Sequence, residues 1–194
     1  TGAQAPRGFL QRAIDLAHEY HFAIVQDFAY AGLGVDAQQI SILSLPGAFD
    51  VAVEVCSLSK MYAMAGWRAG FIAGNDDIVS HVKQYHYQMG SMVTSSIQDA
   101  GTVALLSDQS CVAELAERYA SRHEIVAGGL SEVGLDVFDS DGGIYAWVHA
   151  PEDQTGEQFA DMLLERAAVA ALPGMCFGKV GKDYVRFSLL KSED

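Results

Sequence analysis

Residues 51–56, VAVEVC, form a short apolar run rich in β-branched residues, and SLSKMYAMAGWRAGF (57–71) follows at once. A run of this length is too short for a typical buried helix and fits a buried strand, while the Ser, Lys and Gly after it suit a loop at the strand's carboxyl end. Open α/β sheets hold ligands at that end. Lys60 therefore stands where such a sheet binds, and from Val51 to Ile72 the only other charged residues are Glu54 and Arg68. A lysine that is to attack a carbonyl compound needs a sparsely charged, small-residue setting of this kind, because it must spend part of its time as the free amine.

A second segment has the same form. HFAIVQDFAYAGLG (21–34) opens with an apolar run that reads as another buried strand, then turns over Asp27 and Tyr30 into a Gly-containing loop. By themselves, Asp27 fits a turn or helix-cap aspartate and Tyr30 a half-buried packing residue. Near the end, LPGMCFGKVGKDYVRFSLL (172–190) carries Arg186 inside a strand of alternating type, with Tyr184, Arg186 and Ser188 on one face and Val185, Phe187 and Leu189 on the other. A guanidinium held there can grip a carboxylate through two parallel hydrogen bonds. The plainer alternative is an arginine on the solvent face of an edge strand.

Taken together, the three segments resemble the class I/II aminotransferases, fold-type I enzymes that use pyridoxal 5′-phosphate. That family carries Ser-x-Ser-Lys followed by a phosphate-binding arginine, matched by Ser57, Ser59, Lys60 and Arg68. It carries Asp-x-x-Tyr, matched by Asp27 and Tyr30, and Pro-Gly-x-x-Phe-Gly before a strand arginine, matched by Pro173 to Gly178 and Arg186. The resemblance implies that Lys60 holds the cofactor and moves a proton, and that Asp27 lies beneath the pyridine nitrogen. It implies that the Tyr30 hydroxyl meets the phenolic oxygen, that Ser57 and Arg68 hold the phosphate, and that Arg186 takes the substrate α-carboxylate. A carboxylate keeps the ring nitrogen protonated and a hydroxyl steadies the phenolate, so both residue types suit an electron-sink cofactor.

The implied activity is transfer of an amino group from an α-amino acid to a 2-oxo acid. Two alternatives stay open at this point: a β-lyase of the same fold, acting on C–S bonds, and an aminotransferase-like domain of a transcription regulator. The implied fold is α/β: the C-terminal part of a cofactor-binding large domain with a mostly parallel sheet over residues 1–109, then a small α+β domain over 110–194. Relatives carry Asn-Pro-Thr-Gly before the first helix, and only Thr1 and Gly2 are present here. The expectation is a C-terminal portion of a longer protein, inactive alone, and a cytoplasmic homodimer when whole.

Composition narrows the partners. Twelve basic and 25 acidic residues give a net charge of −13, which argues against non-specific binding of nucleic acid or anionic membrane by this segment. No apolar run is long enough to span a bilayer. Cys56, Cys111 and Cys176 form no CxxC pair and fit reduced thiols. His18, Glu19 and His21 fall short of a zinc-binding helical spacing and read as a solvated helix end, so no metal is expected. GKVGK (178–182) reads as a turn before the last strand. Periodicity predicts helices over about Arg7 to Tyr20, from Asp77 to Leu106 with a break near Gly90, from Val112 to Leu130, and around Glu157 to Arg166. Tyr85, Tyr87 and Met89 read as core side chains, with a place near the cofactor as the alternative.

Overall fold

The computed structural model describes residues 2–34, 39–90 and 92–191. The chain divides into two compact units, Gln4–Leu115 and Ala116–Asp194, the latter joined by Thr1–Ala3.

In the first unit, α1 (Arg7–Tyr20) buries Leu10, Ile14 and Ala17, a spacing of three and four that puts all three on one face. It ends at His21, which takes a left-handed conformation while its N–H returns to the Ala17 carbonyl. Strands β1 (Ile24–Asp27), β2 (Ala52–Ser57) and β3 (Gly70–Gly74) form a sheet in that order. β1 and β2 are parallel, with Asp27 opposite Val55, and β3 joins β2 antiparallel, with Gly70 opposite Ser57. The core of this unit gathers Leu10 and Ile14 with Ile42, Leu45, Ala48 and Ala52. Ala48 lies in the single-turn helix α2 (Ala48–Val51), which leads straight into β2.

Two polar side chains tie the segment before α2 to the sheet. Glu54, 6 % exposed, accepts from the Ser41 hydroxyl at 2.5 Å and from the Leu43 amide at 3.2 Å. Its ladder partner Gln26 donates to the Ile40 carbonyl and accepts from the Ile42 amide. These are the partners a buried carboxylate and a half-buried amide require.

The break predicted near Gly90 is present: residues 77–106 fall into two helices, α4 (Asp76–Gln88), which follows the short α3 (Leu58–Met61), and α5 (Ser95–Leu106). Asn75 caps α4 by accepting from the Ile78 amide at 3.0 Å. Tyr85, Tyr87 and Met89 are not core residues here: they are 64 %, 60 % and 63 % exposed, and α4 buries none of its side chains. Tyr87, two positions from each of the others, points to a different side of the helix from Tyr85 and Met89, and no side of α4 is buried. Helix α6 (Ser110–Glu132) begins in this unit.

The second unit is built on β4 (Tyr145–His149), β5 (Leu172–Pro173) and β6 (Tyr184–Ser188), all antiparallel, in the order β4-β6-β5. GLDVF contributes a single bridge, Val137 to Val148, beside β4. Helix α7 (Gly156–Ala167) opens with a capping box between Thr155 and Gln158. Its Phe159 and Ala160 form a core with Ala146, Val148, Val185 and Leu189. GKVGK is a 3₁₀ turn (Lys179–Gly181) before β6.

Candidate functional site

Sheet register assembles the predicted residues of the first unit on one edge. Asp27 is the last residue of β1, and its neighbour Phe28 donates its amide to the Val55 carbonyl at 2.9 Å. Ser57 is the last residue of β2, the strand parallel to β1. Because β3 runs antiparallel, its first residue, Gly70, sits opposite Ser57, and Arg68 two positions earlier belongs to the same edge. Lys60 follows directly, in α3.

Each side chain is held locally. Ser57 caps α3 by accepting from the Ser59 amide at 3.1 Å, which turns the chain sharply after the strand and fixes where Lys60 begins. Lys60 is half-buried, and its ammonium group has no hydrogen bond or ion pair among the described residues. Asp27 is exposed, and one carboxylate oxygen accepts from the Ala29 amide at 3.2 Å, the turn aspartate that the bare sequence allowed. The other oxygen has no protein partner among the described residues. Tyr30 is 38 % exposed. Arg68 has φ 52° and ψ 47°, a left-handed conformation unusual for a residue with a Cβ, and its guanidinium donates to the Ala65 carbonyl at 2.9 Å. Backbone held in such a region is found where the surrounding structure dictates a side chain's position.

An interaction that sequence reading missed lies beside Lys60. The Tyr62 hydroxyl donates to Gln109 Oε1 at 2.7 Å, and Gln109 Nε2 donates to the carbonyls of Ala104 and Ser107 at the end of α5. Burial pushes the Tyr62 phenol above its ordinary range, against the lowering effect of this bond. The turn before α6 is thereby tied to the segment that carries Lys60. No local sequence signal marks a pair so far apart along the chain.

In the second unit, Arg186 lies on β6, the central strand of its sheet, and not on an edge. Val185 on the opposite face is fully buried, so the predicted alternation is present. Arg186 is half-buried, with its guanidinium carbon 3.8 Å from the Tyr145 ring centre and 4.5 Å from that of Phe177. Tyr145, Trp147 and His149 alternate along β4, a pattern visible in GGIYAWVH that marks them as one face. Trp147 stacks on Tyr184 with ring centres 5.5 Å apart and meets Phe177 edge-on at 5.8 Å.

The donor set of the first unit, one amine, one carboxylate, one phenol, one hydroxyl and one guanidinium, matches the groups of pyridoxal phosphate: aldehyde, ring nitrogen, phenolic oxygen and phosphate. Among the described residues no cluster of His, Cys, Asp and Glu suits a metal ion. His18 instead bonds the Gly47 carbonyl through Nε2. Among the described residues no helix is long and apolar enough to cross a membrane.

Comparison with known proteins gives an independent line. The profile of aminotransferases of class I and II matches residues 1–194. The L-glutamine–4-(methylsulfanyl)-2-oxobutanoate aminotransferase of Bacillus subtilis is 42 % identical over 195 residues, an alignment that covers 100 % of this chain and 49 % of that protein. An LL-diaminopimelate aminotransferase of Syntrophobacter fumaroxidans is 38 % identical, with 97 % and 49 % covered. Among solved structures, an aminotransferase from Staphylococcus aureus superposes with a TM-score of 0.94 at 34 % identity, over 99 % of this chain and 51 % of that one. The chain spans about half the length of the curated relatives it matches.

Proposed function

The chain belongs to the class I and II aminotransferase family, and from that premise we propose that it is part of an enzyme moving an amino group from an α-amino acid to a 2-oxo acid, with pyridoxal 5′-phosphate held at the β1–β2–β3 edge. The observation that carries this reading is the convergence on one sheet edge of Asp27, Ser57, Lys60 and Arg68. When bound, pyridoxal phosphate supplies an aldehyde that reacts with amines and an electron-poor ring that accepts the electron pair left when a Cα proton departs.

The residues divide the work. Lys60 would hold the cofactor through its unpaired amine and, when free, would take a proton from the substrate Cα. Asp27 would offer its other carboxylate oxygen to the ring nitrogen and keep it protonated. The Tyr30 hydroxyl donates to the phenolic oxygen. Ser57 and Arg68 bind the phosphate, the latter as a fixed planar donor. Arg186 receives the substrate α-carboxylate.

The relatives compared above carry aminotransferase names, which favours amino transfer over β-elimination. Their names point to amino donors such as glutamine and diaminopimelate, the classes to try first. We extend the reading to a cytoplasmic location of the whole protein, which the three free thiols suit, and to the homodimer that the family resemblance implies. The test is borohydride reduction of the cofactor-loaded protein followed by peptide mapping. Cofactor fixed to Lys60 is the expected result, and label on another lysine, or on none, overturns the reading.

A further inference from the structure

Arg186 is clamped by rings and otherwise unengaged. The two rings come from the elements that flank β6: Tyr145 from β4, and Phe177 from the 3₁₀ turn (Gly174–Phe177) that follows β5. Both ring centres lie within the distance at which a cation is attracted by an aromatic face, and the guanidinium, being delocalised and weakly hydrated, suits such contacts better than an ammonium. None of its N–H groups has a hydrogen-bond or ion-pair partner among the described residues. A half-buried cation whose donors are unpaired, while its π-face contacts are filled, is arranged for an acceptor from outside the protein.

From this geometry we infer that Tyr145 and Phe177 are positioning residues for the substrate carboxylate, holding the Arg186 guanidinium between rings so that its N–H groups stay free for it. The inference rests on the carboxylate reading of Arg186 given above and adds what keeps that group oriented. A long arginine side chain loses rotamer freedom when it binds, and the rings remove that freedom beforehand. Rings also make no competing hydrogen bonds, unlike an acidic neighbour, which would occupy the same N–H groups and repel a carboxylate. Trp147 completes the support: it meets Phe177 edge-on and stacks on Tyr184, so Phe177 is held although it is 53 % exposed. Tyr184 in turn meets His149 edge-on at 4.9 Å. Phe177, Trp147, Tyr184 and His149 thus form one row of touching rings whose Phe177 end meets the arginine.

The experiment uses the holoenzyme and whichever of L-glutamine, L-glutamate, L-alanine and LL-diaminopimelate it converts fastest, alongside the α-carboxamide of the same compound. Steady-state constants are measured for wild type, Tyr145→Leu, Tyr145→Phe, Phe177→Leu and Arg186→Lys. The ratio of kcat/KM for acid over amide is independent of the fraction of folded enzyme, so partial misfolding cannot imitate the result. Tyr145→Leu and Phe177→Leu are expected to raise KM about 3- to 10-fold, the effect of freeing one immobilised side chain, to lower the acid-to-amide ratio by a similar factor, and to change kcat little. Tyr145→Phe, which keeps the ring, should restore the wild-type ratio. A fall in the ratio for Arg186→Lys with no change for either leucine variant overturns the clamp alone. An unchanged ratio for Arg186→Lys overturns the carboxylate reading and the clamp with it.

Discussion

Gly70 and Ser57 face each other as Cα partners across the β2–β3 ladder, and the pairing leaves no room for a side chain at Gly70: a Cβ there would come within 2.5 Å of the Cys56 carbonyl oxygen. This close approach sets the distance between the strand that delivers Lys60 and the loop that delivers Arg68. Gly70→Ala must push the two strands apart locally, since backbone cannot rotate away as a flexible side chain can. The expected cost is about 1–3 kcal/mol of stability, the usual range for overpacking. Retention of pyridoxal phosphate should weaken in the same variant. Urea denaturation and dialysis against cofactor-free buffer measure the two effects, and a variant with wild-type values in both shows that the approach does not set the site.

Arg68 separates stability from binding. Its left-handed conformation strains any residue with a Cβ, so Arg68→Gly relieves the backbone while making the unfolded chain more flexible. The two effects offset, and stability should stay within about 1 kcal/mol of wild type. Cofactor retention should nevertheless fall by tenfold or more, roughly 1.4 kcal/mol, because a charge-assisted phosphate contact is lost. Equal cofactor affinity in the two proteins counts against the phosphate role.

Glu54 is a structural carboxylate despite its place in the strand that leads to Lys60. It satisfies the Ser41 hydroxyl and the Leu43 amide, so Glu54→Ala leaves two donors without their acceptor. A loss of about 1–3 kcal/mol in unfolding free energy is expected, the penalty for stranding buried polar groups. If denaturation shows no loss, water has replaced the carboxylate and the segment from Ser41 to Leu43 is not pinned by it.

The parts of this fold legible in the sequence are those set by local chemistry. Helix α1 was predicted at its observed bounds because its apolar spacing is unbroken and Tyr20 is followed by a residue that can turn left-handed. Lys60 and Asp27 are placed beside strand ends by the β-branched runs before them, and the structure puts both there, whereas Arg68 joins them in the sequence only through the family resemblance. What sequence could not give is pairing. Nothing in GWRAGFIAG says that β3 enters antiparallel, yet that direction alone brings Arg68 to the Lys60 edge. Tyr62 and Gln109 meet with a strand and two helices between them in the chain, and Tyr145 and Phe177 close on Arg186 from β4 and from the 3₁₀ turn after β5. Tyr85, Tyr87 and Met89 failed for the opposite reason, since apolar character alone does not specify burial on a helix that buries none of its faces.

Cys56 provides a pH test of the β2 core. Burial first, and the nearby Glu54 charge second, push its thiol from 9.0 up to about 11. Below pH 9 the thiol is protonated in both folded and unfolded chains, and its contribution to stability is fully present. Between pH 9 and about 11 the unfolded chain releases the proton while the folded chain keeps it, so stability falls as pH rises through that window. The slope from this one group is at most about 1.4 kcal/mol per pH unit. Replacing the thiol in Cys56→Ala removes the slope along with some packing, so the variant should be less stable at pH 8 yet lose less than wild type between pH 8 and pH 10.5. Reactivity gives a second reading at pH 8. Cys111 and Cys176 are exposed and should react with an aromatic disulfide reagent in the folded chain, whereas buried Cys56 should react only after denaturant is added. Three rapidly reacting thiols without denaturant, or equal alkaline slopes for wild type and Cys56→Ala, would show that the β2 core is open to solvent at this strand.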